Sequence, residues 1–354
     1  MAADRRGIAA AGNWIIDHVY ICDCWPQEEA LANILQEGRG TGGAPYNCLV
    51  DLARLGPPPG GRPIPLEAIG LVGSDADGEF IRQGMAALGV DTSALAATTV
   101  APTSYTLVCV SKPTGRRTFF HNRGANAHFD PASVPVERIR ARLAHVGYLL
   151  LLDRFDEPDA EYGTAAARLL ARLQAEGIET SIDVVSEDSR RFPQIVKPAL
   201  RHADYAILNE FEAGRTTGHD LRPGGTPDPK AIRASARELL HLGVRRLVCI
   251  HMPEGGYALA ADGREYWQPS LALPEGYIRG GAGAGDAFCA GVLYGLHERW
   301  EVERSLKLGV AAATVCLSDP TCTAAACSLA ETIAAAAKFA YGPSAFRDRP
   351  IPPA

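Results

Sequence analysis

Between residues 146 and 250, apolar runs of strand length alternate with stretches of helical spacing, and this alternation leaves the chain few architectures. Residues 146–152, 180–184, 206–208 and 246–250 read as strands. Residues 159–176, a proline-containing 189–200 and 230–242 read as helices. Strand–helix alternation of this kind implies a mostly parallel sheet with helices on both faces. Residues 7–11 and 68–72 extend the pattern upstream as strands and 79–88 as a helix. Two alanine-rich helical stretches, broken at Asp319-Pro320, occupy 302–340, and a proline-rich tail expected to be loose follows from Tyr341.

The residues past the carboxyl ends of parallel strands are where such sheets bind ligands. Asn13 and Asp17 follow the first strand, Asp183 closes the 180–184 strand, and Asn209 and Glu212 follow the 206–208 strand. Asn209 and Glu212 share one face at a helix start. Hard oxygen ligands there suit a hydrated magnesium held mainly by phosphates; a helix-capping Asn with a solvated Glu is the plainer reading.

Two glycine-rich stretches stand out. Residues 280–295, GGAGAGDAFCAGVLYG, read as a bare loop running into a helix whose Phe288, Val292 and Leu296 share an apolar face. A helix start carries unpaired N–H groups and the positive dipole end, so it attracts anions. Asp286 in the first turn is either a cap or a base for an attacking hydroxyl. The spacing fits neither the GxGxxG nor the GxxxxGK[ST] pattern. The second stretch is Gly42-Gly43-Ala44-Pro45-Tyr46-Asn47, which precedes a helix striped by Leu49, Leu52 and Leu55. Its glycine pair brings a small molecule close to the backbone, and Asn47 offers donor and acceptor to a hydroxyl.

Residues 91–121 differ. They are rich in β-formers, with a turn at 111–115, and read as a small β insert covering a site or pairing with another subunit. His121, Arg123 and Asn126 follow it. A net charge of −6 argues against a nucleic-acid or anionic-membrane surface. Nine scattered cysteines read as reduced thiols, and Cys22-Asp23-Cys24 beside His18 as packing rather than a metal site. GSDADG at 73–78 lacks the closing glutamate of a calcium loop and reads as a turn. No apolar run is long enough to span a bilayer, and no secretion signal is evident, so a cytoplasmic protein is expected.

Three segments together carry a family resemblance. GGAPYNCLVDLARLG, ILNEFE and GAGDAFCAG occur in the order and approximate separation of the signatures of the ribokinase-like, or PfkB, carbohydrate kinases, and the resemblance spans roughly residues 7–335. It implies a three-layer α/β/α kinase domain over residues 1–340 with a small β-sheet lid. That lid is expected to lie mainly within 91–121, with a contribution from about 14–41, and in many members it forms a dimer clasp. It implies Mg-ATP-dependent phosphorylation of a hydroxymethyl group on a sugar or sugar acid, with a nucleoside acceptor or a catalytically silent binder as alternatives. Asp286 matches the general base, and Gly283, Ala284 and Gly285 the anion hole. Asn13, Asp17, Gly42, Gly43, Asn47, Arg123 and Asn126 are candidate substrate contacts. Asn209, His251 and Gly256 are candidate nucleotide contacts, and Glu212, with Asp183 through water, a candidate magnesium contact. The chain departs from the family at Gly280-Gly281-Ala282, where side chains that often bind a monovalent cation are missing, and at His251-Met252-Pro253, where Thr-x-Gly is usual. GGAPYN looks nearer to fructokinase-like members than to adenosine kinases, and Arg116, Arg117 and Arg123 offer forks for an acidic sugar.

Overall fold

A computed structural model describes residues 5–187 and 189–346. Its centre is a nine-stranded sheet. From one edge the order is Glu265–Pro269, Gly255–Ala260, Leu247–Met252, Tyr205–Asn209, Glu179–Val184, Leu143–Leu149, Ile8–Gly12, Leu66–Gly73 and Asp91–Thr98. All neighbours are parallel except the last two pairings at the Glu265 edge. Both faces are covered, which is why the strands read as continuous apolar runs. Ile8 and Ala10 face a core shared with the helices Ala44–Leu55, Ala284–His297 and Val302–Cys316. Ala9 and Ala11 face the opposite core, built with Ala165–Ala175, Phe192–Leu200 and Pro229–His241. The expected three-layer α/β/α architecture is therefore present.

The chain leaves Ile8–Gly12 toward one edge through Leu66–Gly73 and Asp91–Thr98. It then returns to the other side of the same strand with Leu143–Leu149. This reversal opens a crevice at the carboxyl ends of the two adjacent strands, around Gly12-Asn13 and Gly147-Tyr148. The two strands lie so close that a Cβ on Gly12 would stand 1.4 Å from the carbonyl oxygen of Gly147.

A second sheet of four strands runs in the order Ile34–Gly42, Ile15–Cys22, Ser104–Ser111 and Arg117–Asn122. The β insert was expected to begin at Asp91. Asp91–Thr98 instead follows the helix Ala76–Ala87 and pairs parallel with Leu66–Gly73, completing a strand–helix–strand unit of the main sheet. The residues before Gly42, anticipated only as a contribution, supply half of the small sheet. The small sheet is mixed, because Ile15–Cys22 pairs parallel with Ser104–Ser111. The tail also differs from expectation. Tyr341 bridges to Leu271, and Phe346 is fully buried, stacked on Tyr257 at 5.1 Å and against Trp267 at 4.6 Å. Residues 347–354 lie outside the described residues.

The helix Ala284–His297 is held from behind by Val302–Cys316. At their crossing a Cβ on Gly291 would lie 2.7 Å from both Cα and N of Gly309. Alanine there would gain about 1 kcal/mol of helix propensity, but overpacking against backbone costs about 1–3 kcal/mol. Gly291→Ala is therefore expected to destabilise the protein on balance, read as a lower denaturant midpoint with an unchanged slope.

Candidate active site

The Ala284–His297 helix begins at Gly283, which adopts φ 80°, ψ −8° and supplies no side-chain cap. Its first-turn N–H groups are thus left for an external acceptor. Asp286 in that turn is 3% exposed. One carboxylate oxygen, Oδ2, accepts from Nδ2 of Asn47 at 2.7 Å, and the other, Oδ1, accepts from the hydroxyl of Tyr148 at 2.7 Å. Burial raises the Asp286 pKa above the ordinary carboxylate value, while the two donors and the nearby His145 hold it down. A carboxylate so placed is aligned and more basic than one in water.

Asn47 is delivered by the first turn of Ala44–Leu55, capped by Gly43 at φ 90°, ψ 140°. A Cβ on Gly43 would stand 2.1 Å from the carbonyl oxygen of Asn13, and one on Gly42 would stand 3.1 Å from Oδ2 of Asp17. The glycine pair thus makes room for protein groups as much as for a ligand. Asn13 Oδ1 accepts from the Tyr148 N–H at 3.2 Å. Its Nδ2, like Oδ1 of Asn47, is buried with no hydrogen-bond partner among the described residues. Buried amide groups without partners cost about 1–3 kcal/mol each, and one donor and one acceptor left over near a base suit a hydroxyl ligand. Asp17 comes from the small sheet, where its strand runs between those of Gly40 and Thr106. Burial raises its pKa, opposed by a hydrogen bond to Thr106 and by His18.

On the other side of the loop, Asn209 and Glu212 form a reciprocal capping box. Glu212 accepts the Asn209 N–H at 2.9 Å and the Ser186 hydroxyl at 2.8 Å. The glutamate is not solvated: it is 4% exposed, and burial pushes its pKa to about 8 despite those donors. Asp183, also buried, is raised well above its ordinary value, first by burial and then by Glu212. Two such carboxylates with raised pKa values fit a divalent cation brought in with a polyphosphate.

A groove of about 620 Å³ begins at Asn209 and His251 and is lined by Gly281, Ala284, Gly285 and Phe288, reaching Leu273 and Thr314. His251 lies against Phe288, with ring centroids 5.1 Å apart, and a Cβ on Gly285 would be 3.1 Å from its Cε1. Burial lowers the His251 pKa to about 4, so the ring is neutral at physiological pH.

Several predicted contacts are placed differently. Asn126 accepts the Trp14 N–H at 3.1 Å and donates to the Trp14 carbonyl at 3.2 Å, so its amide fastens backbone. Arg123 is ion-paired to Asp153 at 2.6 Å and Glu187 at 3.7 Å, its charge already matched by protein carboxylates. Gly256 is buried under Phe288, whose ring a Cβ there would meet at 2.7 Å; it packs the wall rather than facing the groove. Gly280 faces Pro320, and Gly280-Gly281-Ala282 carries no side-chain oxygen for a cation. Tyr148 was missed. Its signal was the strand-end rule already applied to Asp183 and Asn209, hidden here inside an apolar run.

Among the described residues no helix is long and apolar enough to cross a membrane. The family model for pfkB family carbohydrate kinases matches residues 7–328. A 5-dehydro-2-deoxygluconokinase of Clostridium perfringens is 24% identical over 286 residues, 80% of this chain and 79% of that protein. One from Clostridium beijerinckii is 26% identical over 285 residues, with the same coverage of 80% and 79%. In three dimensions the Arabidopsis thaliana ribokinase complexed with ribose and ATP superposes with a TM-score of 0.76 at 18% identity, covering 94% of this chain and 98% of that one. With a match that spans the main sheet, the small sheet and both glycine loops, this chain belongs to the pfkB family of carbohydrate kinases.

Proposed function

We propose that the protein transfers the terminal phosphoryl group of Mg-ATP to a hydroxymethyl group of a sugar acid, with Asp286 as general base. The observation that carries this reading is the buried Asp286 carboxylate, held at 2.7 Å by both Asn47 and Tyr148 at the start of an uncapped helix. A hydroxyl beside that carboxylate gives up its proton as its oxygen attacks. The first-turn N–H groups at Gly283, Ala284 and Gly285 face the charge that builds on the transferring group. Asn13 and Asn47 have an unused donor and acceptor for substrate hydroxyls, and Asp17 presents a further acceptor from the small sheet.

The nucleotide is assigned to the groove between His251 and Thr314, which opens onto the same loop. Glu212 and Asp183 would hold magnesium, largely through water. The bound ion would supply shielding of phosphate charge. The acidic acceptor is favoured by the curated relatives, which are 5-dehydro-2-deoxygluconokinases. The small sheet serves as a lid that excludes water, the competing acceptor. It also leaves Ile34, Leu35, Phe119 and Phe120 more than half exposed, which favours pairing with a second copy of the chain.

ATP consumption with magnesium, measured across 5-dehydro-2-deoxygluconate, other sugar acids, neutral ketoses and nucleosides, tests the assignment. Turnover is expected with a sugar acid, and turnover confined to nucleosides would refute it. Asp286→Asn should lower kcat by about 10²–10⁴ while the protein stays folded. Tyr148→Phe removes one of the donors that hold the Asp286 pKa down, so that pKa rises. The acidic limb of the kcat/KM profile should then move to higher pH; an unmoved limb would remove Tyr148 from the base. By light scattering at micromolar concentration the wild type should have the mass of a dimer, and a Phe119→Asp, Phe120→Asp variant that of a monomer.

A further inference from the structure

One helical turn after Asp286 lies Cys289, and directly after Asn47 lies Cys48; both thiols are buried. Between them, from the middle of the strand Leu143–Leu149, comes His145, fully buried on the sheet face that Leu143 also supplies. The Nε2 of His145 is 3.8 Å from Cys289 Sγ. The two sulfurs and the imidazole nitrogen all lie within 4.8 Å of one another. The other ring nitrogen, Nδ1, is 3.1 Å from the Ser181 hydroxyl on the neighbouring strand. In the proposed phosphoryl transfer none of these groups contacts the substrate, His145 bearing only on the Asp286 pKa, and a buried imidazole facing two thiols is a costly way to fill a core.

We propose that Cys48, His145 and Cys289 form a binding site for a thiophilic cation, zinc by its ligand chemistry. Ligand atoms about 2.0–2.3 Å from a common zinc ion stand roughly 3.5–4 Å from one another. The present spacing therefore closes onto an ion by side-chain adjustments of under an ångström. The S₂N set selects zinc or copper(I) and rejects magnesium and calcium, which need oxygen. Ser181 takes the part of the outer partner that fixes which ring nitrogen faces the metal. The Cys48 thiol also donates to the main-chain oxygen of Asp286 at 3.5 Å. Binding would displace the thiol protons and tie together the helices that carry Asn47 and Asp286. This magnesium-independent site stands apart from the kinase assignment, and its test does not read activity.

The test uses the full chain, kept reduced and stripped with a chelator, then titrated with cobalt(II) as an optical stand-in for zinc. The expected result is saturation at one equivalent with a thiolate-to-cobalt charge-transfer band that zinc abolishes. Cys289→Ser and Cys48→Ala should each lose the band, and Ser181→Ala should bind about 10–100-fold more weakly. Cys109→Ser, in the small sheet, should bind as the wild type does. X-ray absorption of the zinc-loaded wild type, which depends on no variant folding, should give two sulfurs and one imidazole in the first shell. Absence of a thiolate band in the wild type, a band that survives both cysteine variants, or a shell of oxygen and nitrogen alone would overturn the proposal.

Discussion

The structure turns on a buried carboxylate held by two hydrogen-bond donors. Asp286 has two donors at 2.7 Å, from Asn47 and Tyr148. Hydrogen bonds to a charged group are each worth about 1.5–3 kcal/mol, while burying an ion costs several kcal/mol even after relaxation. The two donors thus offset the penalty without exceeding it, in line with a pKa that is raised rather than depressed. A carboxylate in that balance is oriented by the protein without being tied up in an ion pair, which is what the proposed general base requires. An arginine in place of Tyr148 would hold the carboxylate more firmly and make it a poorer proton acceptor.

Holding such a group requires three elements far apart in sequence to meet within hydrogen-bond distance, and the sheet supplies the frame. Tyr148 leaves the carboxyl end of Leu143–Leu149 where the strand order reverses. Asn47 and Asp286 each stand in the first turn of a helix on one face, each entered through a glycine with positive φ. Tight crossings keep these helices in place: Gly291 against Gly309 behind Asp286, and Gly43 against the Asn13 carbonyl in front of Asn47. Small residues at these positions set the distances, and the chemistry depends on the distances.

Much of this was legible in the sequence because it is local. A glycine run entering a helix with an acid in its first turn predicts Asp286, and a glycine pair three residues ahead of a helical Asn predicts Asn47. Strand–helix alternation predicts the layers. What was not legible depends on which distant segment a residue meets. Asp91–Thr98 has the composition of an insert strand but belongs to the main sheet, because the preceding helix returns it there. Arg123 and Asn126 lie close to the site in sequence pattern, yet Asp153, Glu187 and the Trp14 backbone claim them first. Tyr148 sits in an apolar run where only the topology turns its hydroxyl into a contact. Glu212 was expected to be solvated or metal-bound, and its burial within the capping box could not be seen from a spacing of three.

Both halves of the candidate site carry buried acids with raised pKa values, and this bears on how the proposed reaction would be driven. On the proposed acceptor side Asp17 and Asp286 suit hydroxyl partners. On the proposed nucleotide side His251 is neutral, and Glu212 and Asp183 are acids, so these side chains do not themselves balance a polyphosphate. In the proposed mechanism that balance falls to the uncapped helix end and to a divalent cation. A helix end offers roughly half a charge, well short of the charge on a triphosphate. In the proposed mechanism nucleotide and magnesium would therefore bind as one unit, beside Asp183 and Glu212.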